Sequence, residues 1–156
     1  MYKSNYTKQA FELETKYIRP VVKSPNIKPF RIIESDNYCI FPYDDGNRTC
    51  VPDNQLIGNS DLLLRYLTDN KKLISKQSAR SLTIAMGDDF YALSKVGNYT
   101  FTPFKVTFRD NTEMCAAVVK NITTPWGEEI SPICAKHAPY ISMDLDGNAI
   151  TEDEAY

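Results

Sequence analysis

The chain has 156 residues, 42% of them hydrophobic and 24% charged, with 18 cations against 20 anions for a net charge of −2. That is enough apolar content for one ordinary domain with its own core, and it excludes a disordered tail, a disulfide scaffold and a highly basic nucleic-acid wrapper. The charge is polarised along the sequence, since residues 1–109 carry 16 cations and 11 anions while residues 110–156 carry 2 and 9. A protein that met a polyanion through the first part would turn its acidic part elsewhere, unless the fold mixes the two. Apolar runs such as Leu62–Leu64 and Cys115–Val119 fall far short of the ~20 residues that span a bilayer, and Met1–Tyr6 has no signal-peptide character, so a cytoplasmic protein is expected. Cys39, Cys50, Cys115 and Cys134 are 11, 65 and 19 positions apart with no CxxC pair, which suggests reduced thiols and neither a zinc module nor a redox motif.

Taken in chain order, residues 2–18 carry a weak amphipathic pattern compatible with strand or short helix. Pro20 ends it, and Val21–Lys23 followed by Ser24-Pro25-Asn26 reads as an extended segment stopped by a turn. The cations Lys16, Arg19, Lys23 and Lys28 form either a solvated face or a set of phosphate contacts. Phe30–Ile33 and Tyr38–Tyr43, rich in branched and aromatic residues, are predicted strands. Asp44-Asp45-Gly46-Asn47 is a hairpin signal, with Arg48–Pro52 predicted to return antiparallel to Tyr38–Tyr43. A helix is predicted from Asn59 or Ser60, as cap, to about Gln77, its apolar face running through Leu63, Tyr66, Leu67, Asn70, Leu73 and Ile74 and packing on the sheet.

Phe90–Arg109, FYALSKVGNYTFTPFKVTFR, alternates aromatic, amide, hydroxyl and cationic groups with almost no acid. Its period is two. Phe101, Pro103 and Lys105 fall on one side of an extended chain and Phe104, Val106 and Phe108 on the other, with Gly97-Asn98 as the preceding turn. The Phe104–Phe108 side is expected to be core, leaving Gly97–Thr102 with Lys105 to reach outward. After a turn at Asp110-Asn111, Met114–Val119 is apolar enough for a central strand. Ile130–Ile141, broken by Pro132 and Pro139, is expected to be edge or irregular. Asp144–Asn148 matches a calcium loop poorly and a hairpin turn at Asp146-Gly147 better. These elements add up to an α+β fold, a mixed and mainly antiparallel twisted sheet with one main helix over about 60–77.

The wording Val96-Gly97-Asn98-Tyr99-Thr100-Phe101-Thr102-Pro103-Phe104-Lys105-Val106, preceded by Tyr38–Tyr43 and by a helix with Tyr66-Leu67 and Asn70–Leu73, resembles the target-recognition part, the TaqI-like C-terminal specificity domain, of adenine-specific DNA methyltransferases of restriction-modification systems. The resemblance spans roughly Arg19–Tyr156. It implies that residues 1–156 are a single recognition domain cut from a longer chain, with 1–20 as the linker from a catalytic domain. It also implies double-stranded DNA and that methyltransferase domain as partners, and S-adenosylmethionine as a cofactor of the parent enzyme and not of this part. The expected DNA-contacting residues are Asn98, Tyr99, Thr100 and Lys105 on bases and Lys95 and Arg109 on phosphates, with Arg48, Lys72 and Arg80 as further phosphate contacts. No catalytic or metal-binding set is expected, because there is no GxG, no Asn/Asp-Pro-Pro-Tyr loop, no phosphate loop, and a single histidine, His137. The alternative is a non-catalytic structural or protein-interaction domain whose aromatic stretch is core strand.

Overall fold

The computed structural model describes residues 1–34, 36–76, 89–109 and 114–156. Within these residues the protein divides into two compact units, one formed by Met1–Tyr17 with Phe41–Val96 and the other by Ile18–Ile40 with Gly97–Tyr156. The class is α+β, with short helices and short, mainly antiparallel strands. Among the described residues no helix is long and apolar enough to cross a membrane.

The first unit opens with a small hairpin of β1 (Tyr2–Lys3) and β2 (Ala10–Phe11), paired Tyr2 to Phe11. Among the described residues its helices are α1 (Asp53–Leu56), α2 (Asp61–Asp69) and α3 (Lys71–Ser75). The predicted single helix is thus interrupted at Asn70, whose backbone at φ −100°, ψ 9° leaves the helical range while its side-chain amide donates to the Tyr66 carbonyl at 2.8 Å. That bond offers the backbone an alternative to continuing the helix. The predicted apolar face holds in α2, where Leu63 and Leu67 are buried and Tyr66 stacks on Phe11 with ring centroids 4.3 Å apart, and fails in α3, where Leu73 is exposed. Gln77, the expected helix end, lies outside the described residues.

The helix start is held differently from expectation. Neither Asn59 nor Ser60 caps it: Ser60 makes no side-chain cap bond, and its buried hydroxyl has no hydrogen-bond partner. The cap comes instead from Glu14, whose two carboxylate oxygens accept from the Leu62 and Leu63 amides at 2.9 and 3.0 Å. A carboxylate on two free amides at the positive end of a helix satisfies donors and dipole together. Glu14→Ala is therefore expected to cost about 1–2 kcal/mol, with Glu14→Gln costing less, measured by urea titration of the 222 nm helix signal.

The predicted return strand to Tyr38–Tyr43 is absent. The turn itself forms, with Asn47 N–H donating to Asp44 O and Gly46 at φ +82°. Val51 N–H donates to Pro42 O, but no strand ladder forms, because Pro42 and Pro52 supply no amides for one. Tyrosine hydroxyls do the joining instead. Tyr91 donates to Val51 O at 2.7 Å, while Tyr43 accepts from Leu93 N–H at 2.6 Å and donates to Leu93 O.

The second unit contains β3 (Ile18–Val22), β4 (Ile27–Lys28), β5 (Arg31–Ile32), β6 (Tyr38–Ile40), β7 (Lys105–Phe108), β8 (Ala116–Val119), β9 (Ile122–Thr123), β10 (Glu129–Ile130), β11 (Ile133–Cys134), β12 (Tyr140–Ile141) and a last helix, α4 (Glu152–Ala155). They make two three-stranded sheets, β11-β3-β6 and β12-β7-β8, with β4-β5 and β10-β9 as separate pairs. All pairings are antiparallel except β11 with β3. Its core is Val22, Ile27, Ala117, Val119 and Ala138, with Ile32, Cys115 and Cys134 packed against it. The centre of the β12-β7-β8 sheet is β7, not the predicted Met114–Val119 strand, which becomes the flanking β8. The Asp144 carboxylate accepts from the Asp146 and Asn148 amides, forming the hairpin turn that the sequence favoured over a calcium loop.

Candidate functional site

The stretch Phe90–Arg109 is divided between the two units at Val96/Gly97, so the candidate residues fall into two sets. Asn98, Tyr99, Thr100, Lys105 and Arg109 belong to the second unit, and Lys95, Arg48 and Lys72 to the first. Arg80 lies outside the described residues. Lys95, Arg48 and Lys72 are exposed, Lys95 with the uncommon backbone angle φ +60°. Arg109 is half-buried.

The alternation along β7 is as predicted, but its facing is inverted. Lys105 and Thr107 point inward, at 1% and 0% exposure, while Val106 is half-buried and Phe108 exposed. The reason is polar satisfaction. Thr107 Oγ1 donates to Pro139 O at 3.1 Å, and the Lys105 ammonium donates to Thr102 O at 2.9 Å and to Ser131 Oγ. Ser131 Oγ donates in turn to the same Thr102 carbonyl at 2.8 Å. Once these bonds exist, the face carrying them can be buried at little cost, and the apolar side chains on the other face remain outside.

Lys105 is therefore a correction to the sequence reading, since an enclosed ammonium bonded to two internal oxygens cannot reach a base edge. Burial pushes its pKa down to about 8, opposed by the nearby Cys134 thiol and aided by Arg19. Thr100 is a second correction. It is buried, its hydroxyl accepts from Gly97 N–H at 3.2 Å, and Tyr140 bonds to its side chain. Both residues are turned inward beneath the Asn98–Thr100 turn and are not presented by it.

The turn is one 3-10 helical turn, Asn98–Thr100, closed by Thr100 N–H to Gly97 O at 2.9 Å and Phe101 N–H to Asn98 O at 3.2 Å. The Tyr99 carbonyl accepts from Ser142 Oγ at 2.8 Å and from Thr102 Oγ1 at 3.2 Å. What remains outward is the Asn98 amide and the Tyr99 ring, the latter 38% exposed and 6.3 Å from the Tyr140 ring. Burial pushes the Tyr140 hydroxyl up to about 12, so it stays a neutral donor at physiological pH. Ser131, Tyr140 and Ser142 carry no local sequence signal for this role, because their partners lie as far as 43 positions away.

A second feature of the same unit is a groove of about 510 Å³ on the outward face of β7 and β8, lined by Phe30, Val106, Phe108, Met114, Val118 and Tyr156 among others. Phe30 is 94% exposed and held at φ +61°. Charge is also redistributed by the fold. The second unit joins the acidic C-terminal segment to residues 18–40, so its sequence carries 8 cations and 11 anions. His137 is exposed, and no group of His, Cys, Asp and Glu side chains among the described residues is arranged to hold a metal ion. The cysteines are free thiols, Cys50 buried and the others half-buried.

Compared with protein-family models the chain matches none, and comparison with curated proteins gives no match either.

Proposed function

We propose that this protein recognises double-stranded DNA as the specificity domain of an adenine-specific restriction-modification methyltransferase, working in the cytoplasm beside a catalytic domain that would hold S-adenosylmethionine. The observation that supports this reading is the Asn98–Thr100 turn, which presents an amide and an aromatic side chain while internal bonds fix everything beneath them. An amide is the side chain that pairs two-fold with a base edge in the major groove, and a braced turn delivers it without a large ordering cost. Lys95 and Arg109, with Arg48 and Lys72 as further candidates, supply cations for phosphates.

A protein-interaction domain is the second reading, favoured by the 510 Å³ apolar groove and by the excess of anions in the unit that carries the turn. Anisotropy of a labelled duplex separates the two. DNA recognition predicts binding that weakens steeply between ~50 and ~200 mM salt, with Lys95→Ala and Arg48→Ala each lowering the salt slope by about 1 and Asn98→Ala relaxing sequence preference. Absence of duplex binding at ~50 mM salt sinks readout of regular duplex, and absence of binding to any DNA leaves the apolar groove as the functional surface.

A further inference from the structure

A tyrosine that merely fills a core is buried, and one that merely decorates a surface is loosely held. Tyr99 is neither. Its ring is 38% exposed, yet its backbone is fixed by the two turn bonds and by two hydroxyls on its carbonyl. The ring itself has a prepared seat. A Cβ at Gly97 would overlap Tyr99 Cε1 and stand 2.9 Å from Cδ1. Gly97 has φ −158°, an extended angle that any residue adopts, so its backbone does not require glycine. What requires glycine there is the Tyr99 ring lying over it, with Tyr140 tilted at 49° alongside.

Two further facts narrow what such a ring is for. The exposed neighbour Asn98 supplies a donor and an acceptor beside an apolar face, and a flat ring with an adjacent amide is complementary to another flat ring with polar edges. Holding the ring in advance removes the rotamer cost of using it. In an intact duplex the faces of the bases are covered by their neighbours, so only an unpaired or extruded base offers a face to stack on.

Resting on the DNA-recognition reading above, we infer that Tyr99, seated on Gly97, is a stacking platform for an unpaired nucleobase exposed where the duplex is opened. The site therefore takes distorted DNA in preference to regular duplex. Tyr99 acts through its ring face, and its hydroxyl is dispensable.

The test uses the whole chain and two labelled duplexes of the same sequence, one fully paired and one with a single extrahelical base, together with the corresponding single strand. The duplex with the extra base is expected to bind about tenfold more tightly than the paired one. Tyr99→Phe and Tyr99→Trp keep that ratio, Tyr99→Leu brings it to unity, and Gly97→Ala lowers it by displacing the ring. Unfolding transitions followed by Trp126 fluorescence establish that each variant is folded. Equal binding of the two duplexes by the wild-type chain, or an undiminished ratio in Tyr99→Leu, overturns the platform while leaving duplex recognition standing. Binding to the unpaired base and single strand but not to the paired duplex supports the platform and overturns readout of regular duplex. No binding to any of the three overturns both.

Discussion

Lys105→Ala is expected to lower the unfolding free energy by about 2–4 kcal/mol, the range for deleting a long side chain from a packed interior. The residue is 1% exposed, and its ammonium bonds the Thr102 carbonyl and the Ser131 hydroxyl, so the variant loses both the stem packing and a three-way polar junction. Lys105→Met keeps the volume and removes the charge, and it isolates a pH effect. In the folded chain the Lys105 pKa is pushed down to about 8, below its ordinary value. Above pH 8 the unfolded chain still binds a proton that the folded chain has released, so stability rises with pH at up to ~1.4 kcal/mol per pH unit. Below pH 8 both states are protonated and the curve is flat.

The thiols act in the opposite sense. Burial pushes Cys39 up to about 12 and also raises Cys134. Once the pH passes the ordinary thiol value, about 8.5, the unfolded chain releases protons that the folded chain retains, and stability falls. With two thiols opposing one lysine, the wild-type curve should stay nearly flat to just above pH 8 and then fall. Without the Lys105 contribution, Lys105→Met should fall by about 1 kcal/mol more than wild type between pH 8 and 9. Urea titrations followed by Trp126 fluorescence in reducing buffer from pH 6 to 10 measure this, and equal falls in the two proteins refute the assignment.

The second large effect is expected at Tyr91, the largest fully buried side chain among the described residues, at 2% exposure. Its ring packs edge-on against Phe90 with centroids 5.1 Å apart, and its hydroxyl donates to Val51 O at 2.7 Å, with Asp89 Oδ2 at 3.2 Å. Tyr91→Ala should cost about 3–5 kcal/mol, as for other buried rings. Tyr91→Phe should cost about 1–2 kcal/mol, because it leaves the Val51 carbonyl buried without its donor. The gap between the two variants, followed by the 222 nm signal of α2 and α3, measures ring packing against hydroxyl bonding. Equal losses would mean that the hydroxyl alone secures the segment.

Local chemistry was legible in the sequence, and non-local satisfaction was not. The period-two pattern of Lys105–Phe108 and the buried Leu63 and Leu67 follow from spacing alone. The turns at Asp44–Asn47 and Asp144–Asn148 follow from residues that tolerate or brace tight backbone. Which face of β7 turns inward depends on Ser131 and Pro139, 26 and 32 positions from their partners, and no local pattern encodes that choice. Hydrophobicity alone assigns Phe104–Phe108 to the core. Three hydrogen-bonded oxygens around an ammonium and a threonine reverse it. The same holds at the Asn98–Thr100 turn, where the exposed pair Asn98 and Tyr99 could be picked out by composition but the bracing role of Thr100 and Lys105 could not.

The Glu14 cap on α2 has a consequence for the order in which the first unit is built. Nine residues with Ser60 idle at the entrance make a helix too short to persist alone in water. Its entrance is completed by a side chain 48 positions earlier, so the helix acquires its full stability only when the intervening loop has closed. Helix and N-terminal hairpin therefore form as one cooperative element, and the element nearest to an autonomous folding unit in the sequence is among the last to become independent of the rest.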